Sequence, residues 1–318
     1  MKLLFILDPL DKLNPEKDTS LAMMREAERR GHALYVAMQH GLYMQHAEVF
    51  IKAHHLSFDD HTFVKGELNA FSQTHFDAII MRKDPPFDNE YLYSTYLLEL
   101  AVNQGAHVFN HPTAIRSWNE KLSVARFPQF APPFLVTADN ALLRDFLHIH
   151  QDIIVKPLDG MGGSSIFRLT LQDPNISVIL ETMTRFGTQT IMAQLYLPQI
   201  LQGDKRIIVI DGEPLPYALA RIPKQGETRG NLAAGGTGIV QLLTARDREI
   251  ATTVGIALKE AGLFLVGLDV IGSHLTEINV TSPTGMVEIA KQTKQLSQPC
   301  NPAEVMLVAL ERALSARH

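Results

Sequence analysis

The stretch Ile153-Ile154-Val155-Lys156-Pro157-Leu158-Asp159-Gly160-Met161-Gly162-Gly163-Ser164-Ser165 decides how this chain is read. An apolar run ends in a lysine, and the lysine opens onto a loop of glycines and serines. Glycine lets backbone N–H groups approach anionic oxygens closely, and the lysine adds a point charge for a phosphate. The order is not that of a P-loop: the lysine precedes the glycines, and residues 165–170 read as a second strand, not a helix. Taken alone, the stretch is equally a β-hairpin with a flexible tip.

A second pattern pairs Gly267-Leu268-Asp269-Val270 with Leu275-Thr276-Glu277-Ile278-Asn279-Val280. Alternate residues of a strand share a face, so Glu277 and Asn279 point together, and the turn at Gly272 folds Asp269 back beside Glu277. Three oxygen-bearing side chains on one face suit Mg²⁺, which leaves positions open for phosphate oxygens. A solvated polar face is the alternative, but the strands are otherwise apolar, and unpaired acids are costly there. Lys205 and Arg206 follow Gly203-Asp204, and Arg221 closes the next strand. Residues 222–238 form a glycine-rich loop carrying Arg229 and Asn231. Guanidinium groups suit bidentate contacts to phosphate or carboxylate, although any one of these cations alone is ordinary surface charge. With strands on both sides, the loop reads as a lid over a reactive intermediate rather than a linker.

Upstream, strands at 3–7, 33–38, 76–81 and 106–109 alternate with helices, one capped by Asp18, Thr19 or Ser20 and stopped by Gly31, another over 88–103. That order implies a parallel sheet covered by helices. Arg82 and Lys83 lie beyond a strand end, where open α/β sheets bind ligands, or else belong to a surface turn set by Pro85-Pro86. Residues 40–73 have weak periodicity and read as a hairpin or an inserted strand pair. Residues 118–127 read as a helix broken by Ala131-Pro132-Pro133. Beyond them come strands at 190–195, 206–210 and 215–221, a helix from Thr244 to about 261, strands at 263–271 and 275–280, and a last helix over 302–316.

The chain has 318 residues, 46% hydrophobic and 20% charged, with a formal net charge of -5. That is enough to bury a large core, and no basic tract points to nucleic acid or to a membrane surface. No apolar run is long enough to span a bilayer, and the first strand is too short for a signal peptide. With Cys300 as the single cysteine, no internal disulfide forms, which fits a cytoplasmic protein; Cys300 has no neighbouring base and reads as an incidental thiol.

These segments together resemble the ATP-grasp ligases, and among them the bacterial glutathione synthetase family. The likeness is carried by Met81-Arg82-Lys83-Asp84-Pro85-Pro86-Phe87-Asp88, residues 154–163, Ala193-Gln194, Tyr196-Leu197-Pro198, Gly203-Asp204-Lys205-Arg206, Asp211-Gly212-Glu213-Pro214, Ala220-Arg221-Ile222-Pro223, and residues 226–236 and 275–284. It departs from the family pattern at Leu195, at Gly285-Met286 and after Glu288. The resemblance implies an α/β ATP-grasp fold. Residues 1–118 would be a pre-ATP-grasp domain and 119–318 the ATP-grasp domain, divided near 194 and carrying the loop 222–238. It implies that Lys121 and Lys156 bind ATP phosphate and that Gly160, Met161, Gly162, Gly163 and Ser164 cover it. Gln194, Leu195, Tyr196 and Leu197 would line the adenine pocket, and Asp204 would hold the ribose. Asp269, Glu277 and Asn279 would hold a pair of Mg²⁺ ions, with Mn²⁺ as a substitute. Arg206, Arg221 and Arg229 would act on the γ-phosphate and the reacting carboxylate. Arg82, Asn231, Ser282, Pro283 and Thr284 would lie near the peptide substrates. The implied reaction joins γ-glutamylcysteine and glycine at the expense of ATP, in a homo-oligomer, a tetramer. A different amine or acid acceptor in the same fold, or an ATP sensor without turnover, are the rival readings.

Overall fold

The computed structural model describes residues 1–59, 62–227, 230, 232 and 235–316. Among these, the strands form three sheets. The first holds β1 (Lys2–Ile6), β2 (Ala33–Ala37), β3 (Leu42–Gln45), β4 (Glu48–Asp59), β5 (Thr62–Ser72), β6 (Ala78–Met81) and β7 (Val108–Phe109). β1 runs parallel to β2 and β6, and β6 parallel to β7. β4 pairs antiparallel with β2 and β3, and also with β5. The weakly periodic residues 40–73 are therefore an antiparallel extension of a parallel sheet. Their pattern is blurred because β5 is exposed along most of its length.

The second sheet, β8 (Phe134–Thr137), β9 (Asp152–Pro157), β10 (Phe167–Thr170) and β11 (Ile191–Leu195), is antiparallel in the order β10-β9-β11-β8. The third joins β12 (Asp204–Ile210), β13 (Glu213–Ile222), β14 (Thr237–Leu242), β15 (Leu265–Ile271) and β16 (His274–Asn279) in the order β14-β13-β12-β15-β16. The helices are α1 (Thr19–Arg29), α2 (Asn89–Asn103), α3 (Pro112–Ser117), α4 (Asn140–His150), α5 (Ile176–Met183), α6 (Ala245–Glu260), α7 (Met286–Thr293) and α8 (Pro302–Ser315). Short acidic side chains start several of them. Asp18 accepts from the Leu21 N–H at 2.8 Å and Asp88 from the Tyr91 N–H at 2.9 Å, while Thr244 and Asp247 make a reciprocal capping box on α6. None of the described helices is long and apolar enough to cross a membrane.

The helix expected over 118–127 is instead a 3-10 turn at Leu122–Arg126, with α3 ending just before Trp118. Asn119 is the reason: its Oδ1 accepts the N–H groups of Lys121 and Leu122, so the backbone turns where a helix would have to continue. The turn aims Lys121 back across the molecule.

The first and third sheets share their cores. Leu3 and Phe5 of β1, Ile208 and Ile210 of β12, and Met306, Leu307 and Leu310 of α8 belong to one buried cluster. One face of the second sheet packs on a core of its own, where Leu143, Leu147, Ile153, Val155, Leu180 and Ile191 meet, while Met192 of β11 and Phe134 and Val136 of β8 join the body's core. The molecule is thus a two-sheet body with a leaf that has its own outer core, and the glycine loop after β9 hangs from that leaf.

Candidate active site

The leaf and the third sheet enclose a cavity of about 360 Å³. Both lysines enter it. The Lys121 ammonium donates to the Gly160 carbonyl at 2.6 Å and to Glu277 Oε1 at 3.0 Å. Lys156 donates to Gln194 Oε1 and to the Thr276 carbonyl, each at 3.2 Å. A lysine from the leaf and a carboxylate from the body therefore face one space, as do Gly160, Met161, Gly162, Gly163 and Ser164 along its rim.

Strand register explains the cluster opposite. Arg206 of β12 pairs with Asp269 of β15, and Asp269 pairs with Glu277 of β16. Paired residues share a face, so a cation and two carboxylates line up across three strands. Arg206 grips Asp269 with both arms, Nε to Oδ1 at 2.5 Å and Nη2 to Oδ2 at 3.0 Å. Arg221 of β13 reaches Asp269 Oδ2 at 2.8 Å and also pairs with Asp204. Gly267 makes the packing possible, because a Cβ there would come within 2.8 Å of both Arg206 Cδ and Pro283 Cβ. Asn279 gives its amide N–H to the Gly267 carbonyl at 3.2 Å, which leaves its oxygen as the cavity-side acceptor.

Burial tunes these charges. It would raise the Asp269 carboxyl, but the guanidiniums of Arg206 and Arg221 outweigh it and hold the group below the ordinary carboxylate range. Glu277 is lowered the same way, against burial, by Lys121 and Lys156. Burial opposes the Lys121 ammonium, yet Glu277 and Glu120 raise it. Among the described residues Lys156 has no hydrogen-bonded carboxylate, and burial pulls it below the usual lysine value. Asp204 is pushed up to about 6, because burial exceeds the help from Arg221. Buried positive charge next to a cavity favours an anionic ligand.

The far end is apolar and polar by turns. Gln194, Leu195, Tyr196 and Leu197 line it with Ile154, Ile166, Leu219 and Ile271. Among the described residues, Gln194 Nε2 and Asp204 Oδ1 are buried there without a partner, a donor and an acceptor suited to a base and a sugar hydroxyl. The Arg168 guanidinium, itself held by Asp152, lies 3.8 Å over the Tyr196 ring and backs this wall.

At the other end stand Ser282, Pro283 and Thr284 with Asp84, which accepts the Ser282 hydroxyl. Arg82 is not on the cavity wall. It is buried behind it, with Nη2 donating to the Pro283 carbonyl at 2.9 Å and Nε to Ser20 Oγ at 3.1 Å. Arg229 and Asn231 lie outside the described residues; their neighbours Gly230 and Leu232 do line the cavity. Two cavity residues were given no role from the sequence. Asp84 drew attention only as part of its motif. Glu120, half-buried, accepts the N–H groups of Val280 and Thr281 and the Thr281 hydroxyl through one oxygen, from 160 residues or more away. Cys300 is buried and its thiol is pushed up by burial, which leaves it unreactive.

Oxygen donors on Glu277, Asn279 and Asp269 fit a hard divalent cation. Three N–H contacts on Asp269 occupy three of its roughly four lone-pair directions. Among the described residues no three acids, histidines or cysteines converge to hold an ion by themselves, so phosphate oxygens would have to complete its shell.

A nucleotide-sized cleft between a glycine-rimmed leaf and an antiparallel body, with lysines on one side and acids on the other, defines an ATP-grasp carboxylate–amine ligase. Comparison with known proteins bears this out and narrows it. Residues 1–116 match the family model "Prokaryotic glutathione synthetase, N-terminal domain", and residues 120–294 match "Prokaryotic glutathione synthetase, ATP-grasp domain". The chain is 56% identical to the glutathione synthetase of Nitrosomonas europaea over 324 aligned residues, covering 100% of both chains. It is 52% identical to that of Bordetella parapertussis, covering 98% of this chain and 99% of the relative. Among solved structures it superposes on a D-cycloserine synthetase with a TM-score of 0.66 at 14% identity, covering 98% of this chain and 99% of that one, a likeness of fold. The chain belongs to the prokaryotic glutathione synthetase family. Membership brings the use of ATP and a divalent metal.

Proposed function

We infer that the chain joins the cysteinyl carboxylate of γ-glutamylcysteine to the amine of glycine, converting ATP to ADP and phosphate and releasing glutathione. One observation carries the reading beyond family membership: Lys121, Lys156, Glu277 and Asn279 face a single cavity although they come from separate sheets and a connecting turn.

The carboxylate of the dipeptide attacks the γ-phosphorus and ADP leaves, giving an acyl phosphate. The glycine amine then attacks the acyl carbon, and phosphate leaves with the bonding pair and takes up the proton that the amine nitrogen gives up. No protein nucleophile takes part, so rate comes from orientation and charge stabilisation. Lys156 and Lys121 neutralise the triphosphate, while the N–H groups of residues 160–164 cover it. Gln194 to the base edge and Asp204 to the ribose satisfy the two buried orphan atoms. Arg206 and Arg221 balance charge at the transferring group, joined by Arg229 from the loop. Ser282, Pro283, Thr284 and Asn231 bound the peptide end, and Arg82 steadies it through the Pro283 carbonyl. Asp269, Glu277 and Asn279 would hold the divalent cation, Mg²⁺ or Mn²⁺ and a pair of ions in the full complex, which would screen phosphate charge and polarise the γ-phosphoryl group. Loop 222–238 excludes water from the acyl phosphate.

The chain divides functionally into residues 1–118 on the peptide side and 119–318 around ATP, the latter into 119–193 and 194–318. It works in the cytoplasm as a homo-oligomer, with small-molecule partners and neither nucleic acid nor membrane. ADP release tests the reading: it should require γ-glutamylcysteine and rise steeply with glycine. Turnover that prefers another acid or amine, D-alanine for instance, overturns the substrate assignment, and ATP binding without acceptor-dependent ADP overturns the ligase reading.

A further inference from the structure

The carboxylates on the wall of the main cavity are not equally matched. Glu277 is paired with Lys121, Asp269 with Arg206 and Arg221, and Asp204 with Arg221. Asp84 and Glu120 line the same cavity and, among the described residues, sit in no ion pair. The two oxygens of Glu120 differ. Oε1 accepts the Val280 N–H at 3.0 Å, the Thr281 N–H at 3.1 Å and the Thr281 hydroxyl at 2.8 Å. Oε2 accepts nothing among the described residues and is not sealed from solvent. Lys121 follows Glu120 in the chain, and both Lys121 and Glu277 act on its charge, which puts Glu120 at the phosphate end of the cavity. A partly desolvated carboxylate with one oxygen pinned and the other open is suited to a cation, because an unmatched charge in such a wall is costly.

Glu120 also lines a second cavity, of about 120 Å³, and Pro85, Gly160 and Thr281 belong to both. Asp84 lines the main cavity alone, and its Oδ1 is taken by the Ser282 hydroxyl. At 120 Å³ against 360 Å³, the smaller cavity has room for a small amino acid rather than a nucleotide or a peptide. Arg116, held by Glu99, brings a guanidinium to its wall, the charge that a carboxylate needs. A free amino acid at neutral pH carries both an ammonium and a carboxylate.

We propose that Glu120 Oε2 receives the ammonium of the amine substrate where the two cavities join, and that the smaller cavity holds the rest of that molecule. The proposal rests on the reading of the chain as a ligase that adds glycine, and gives that substrate its site.

Hydroxylamine separates this role from a structural one. It is uncharged at neutral pH and needs no carboxylate to receive it. Its nitrogen attacks the acyl carbon to give the hydroxamate, while phosphate leaves with the bonding pair and takes the surplus proton. Glu120→Gln keeps Oε1 as an acceptor and replaces the open oxygen with an NH₂ group, which repels an ammonium. The KM for glycine should rise about ten- to hundredfold, the scale of one hydrogen bond to a charged group, and the ratio of glycine-dependent to hydroxylamine-dependent ADP release should fall by a similar factor. Leu158 belongs to the smaller cavity alone. Leu158→Trp crowds it and should raise the KM for glycine while the KM for ATP stays near the wild-type value. If the two amine reactions of Glu120→Gln fall together, Glu120 only braces Lys121 and the assignment is overturned. An unchanged KM for glycine in either variant overturns it, as does a rise seen in Asp84→Asn and not in Glu120→Gln. A wild-type chain without glycine-dependent ADP release overturns the proposed function itself, and this site with it.

Discussion

Asp269→Asn separates what holds the site together from what the site does. Asp269 lies buried between two guanidiniums, with contacts of 2.5 and 3.0 Å to Arg206 and 2.8 Å to Arg221. Asparagine has the same shape but loses the charge, and its NH₂ group would face a guanidinium N–H. Breaking a buried ion pair from one side costs about 3–5 kcal/mol, because the remaining charges stay buried and unmatched. With an unfolding entropy of roughly 2.1 cal/mol/K per residue, a chain of 318 residues loses on the order of 4–8 °C in Tm for that cost. Differential scanning calorimetry without nucleotide measures it. The sign with pH follows from the depressed carboxyl. Its contribution is present above the unfolded value of 3.8 and is lost as pH falls toward the lower folded value, so the gap between wild type and variant should narrow in acid. A variant within a degree of wild type at neutral pH refutes the claim that this carboxylate is the electrostatic centre of the third sheet. ADP release, for which Asp269 is proposed to help hold the cation, should fall independently of the lost stability.

Glu277→Ala should lower acceptor-dependent ADP release by about 10²–10³-fold, the scale of several kcal/mol of phosphoryl charge stabilisation, and near-normal turnover would remove Glu277 from the cation site. Asp204 titrates near 6 in the folded chain against 3.8 unfolded. Its effect on stability is therefore most favourable in acid and fades as pH rises through about 6, while the KM for ATP should fall over the same interval as the proposed ribose acceptor ionises; Asp204→Asn should flatten both profiles. Asp247→Ala removes both the partner of buried Lys205 and the capping box of α6. It should cost roughly 3–5 kcal/mol in denaturant unfolding and leave the KM for ATP nearly unchanged, because Asp247 is not part of the cavity wall.

The alternating strands and helices of the first third, the lysine-then-glycine turn and the hairpin bearing Asp269, Glu277 and Asn279 were legible in the sequence. Each rests on short-range rules: a period of two or 3.6, the freedom of glycine, the preference of aspartate for a helix start. The same rules misread residues 118–127, where a single Asn119 side chain outcompetes the helix for two N–H groups. They gave residues 40–73 only as a hairpin or an inserted strand pair, without placing it, because the β5 strand lies outside the core and shows little apolar periodicity. Only the tertiary structure set Arg206 in register with Asp269, put Glu120 under the turn at Val280 and Thr281, and withdrew Arg82 from the cavity wall to hold Pro283. Those placements depend on pairing between segments tens to hundreds of residues apart. Such pairing is decided by how the sheets bury their shared faces, and no local window of sequence encodes it.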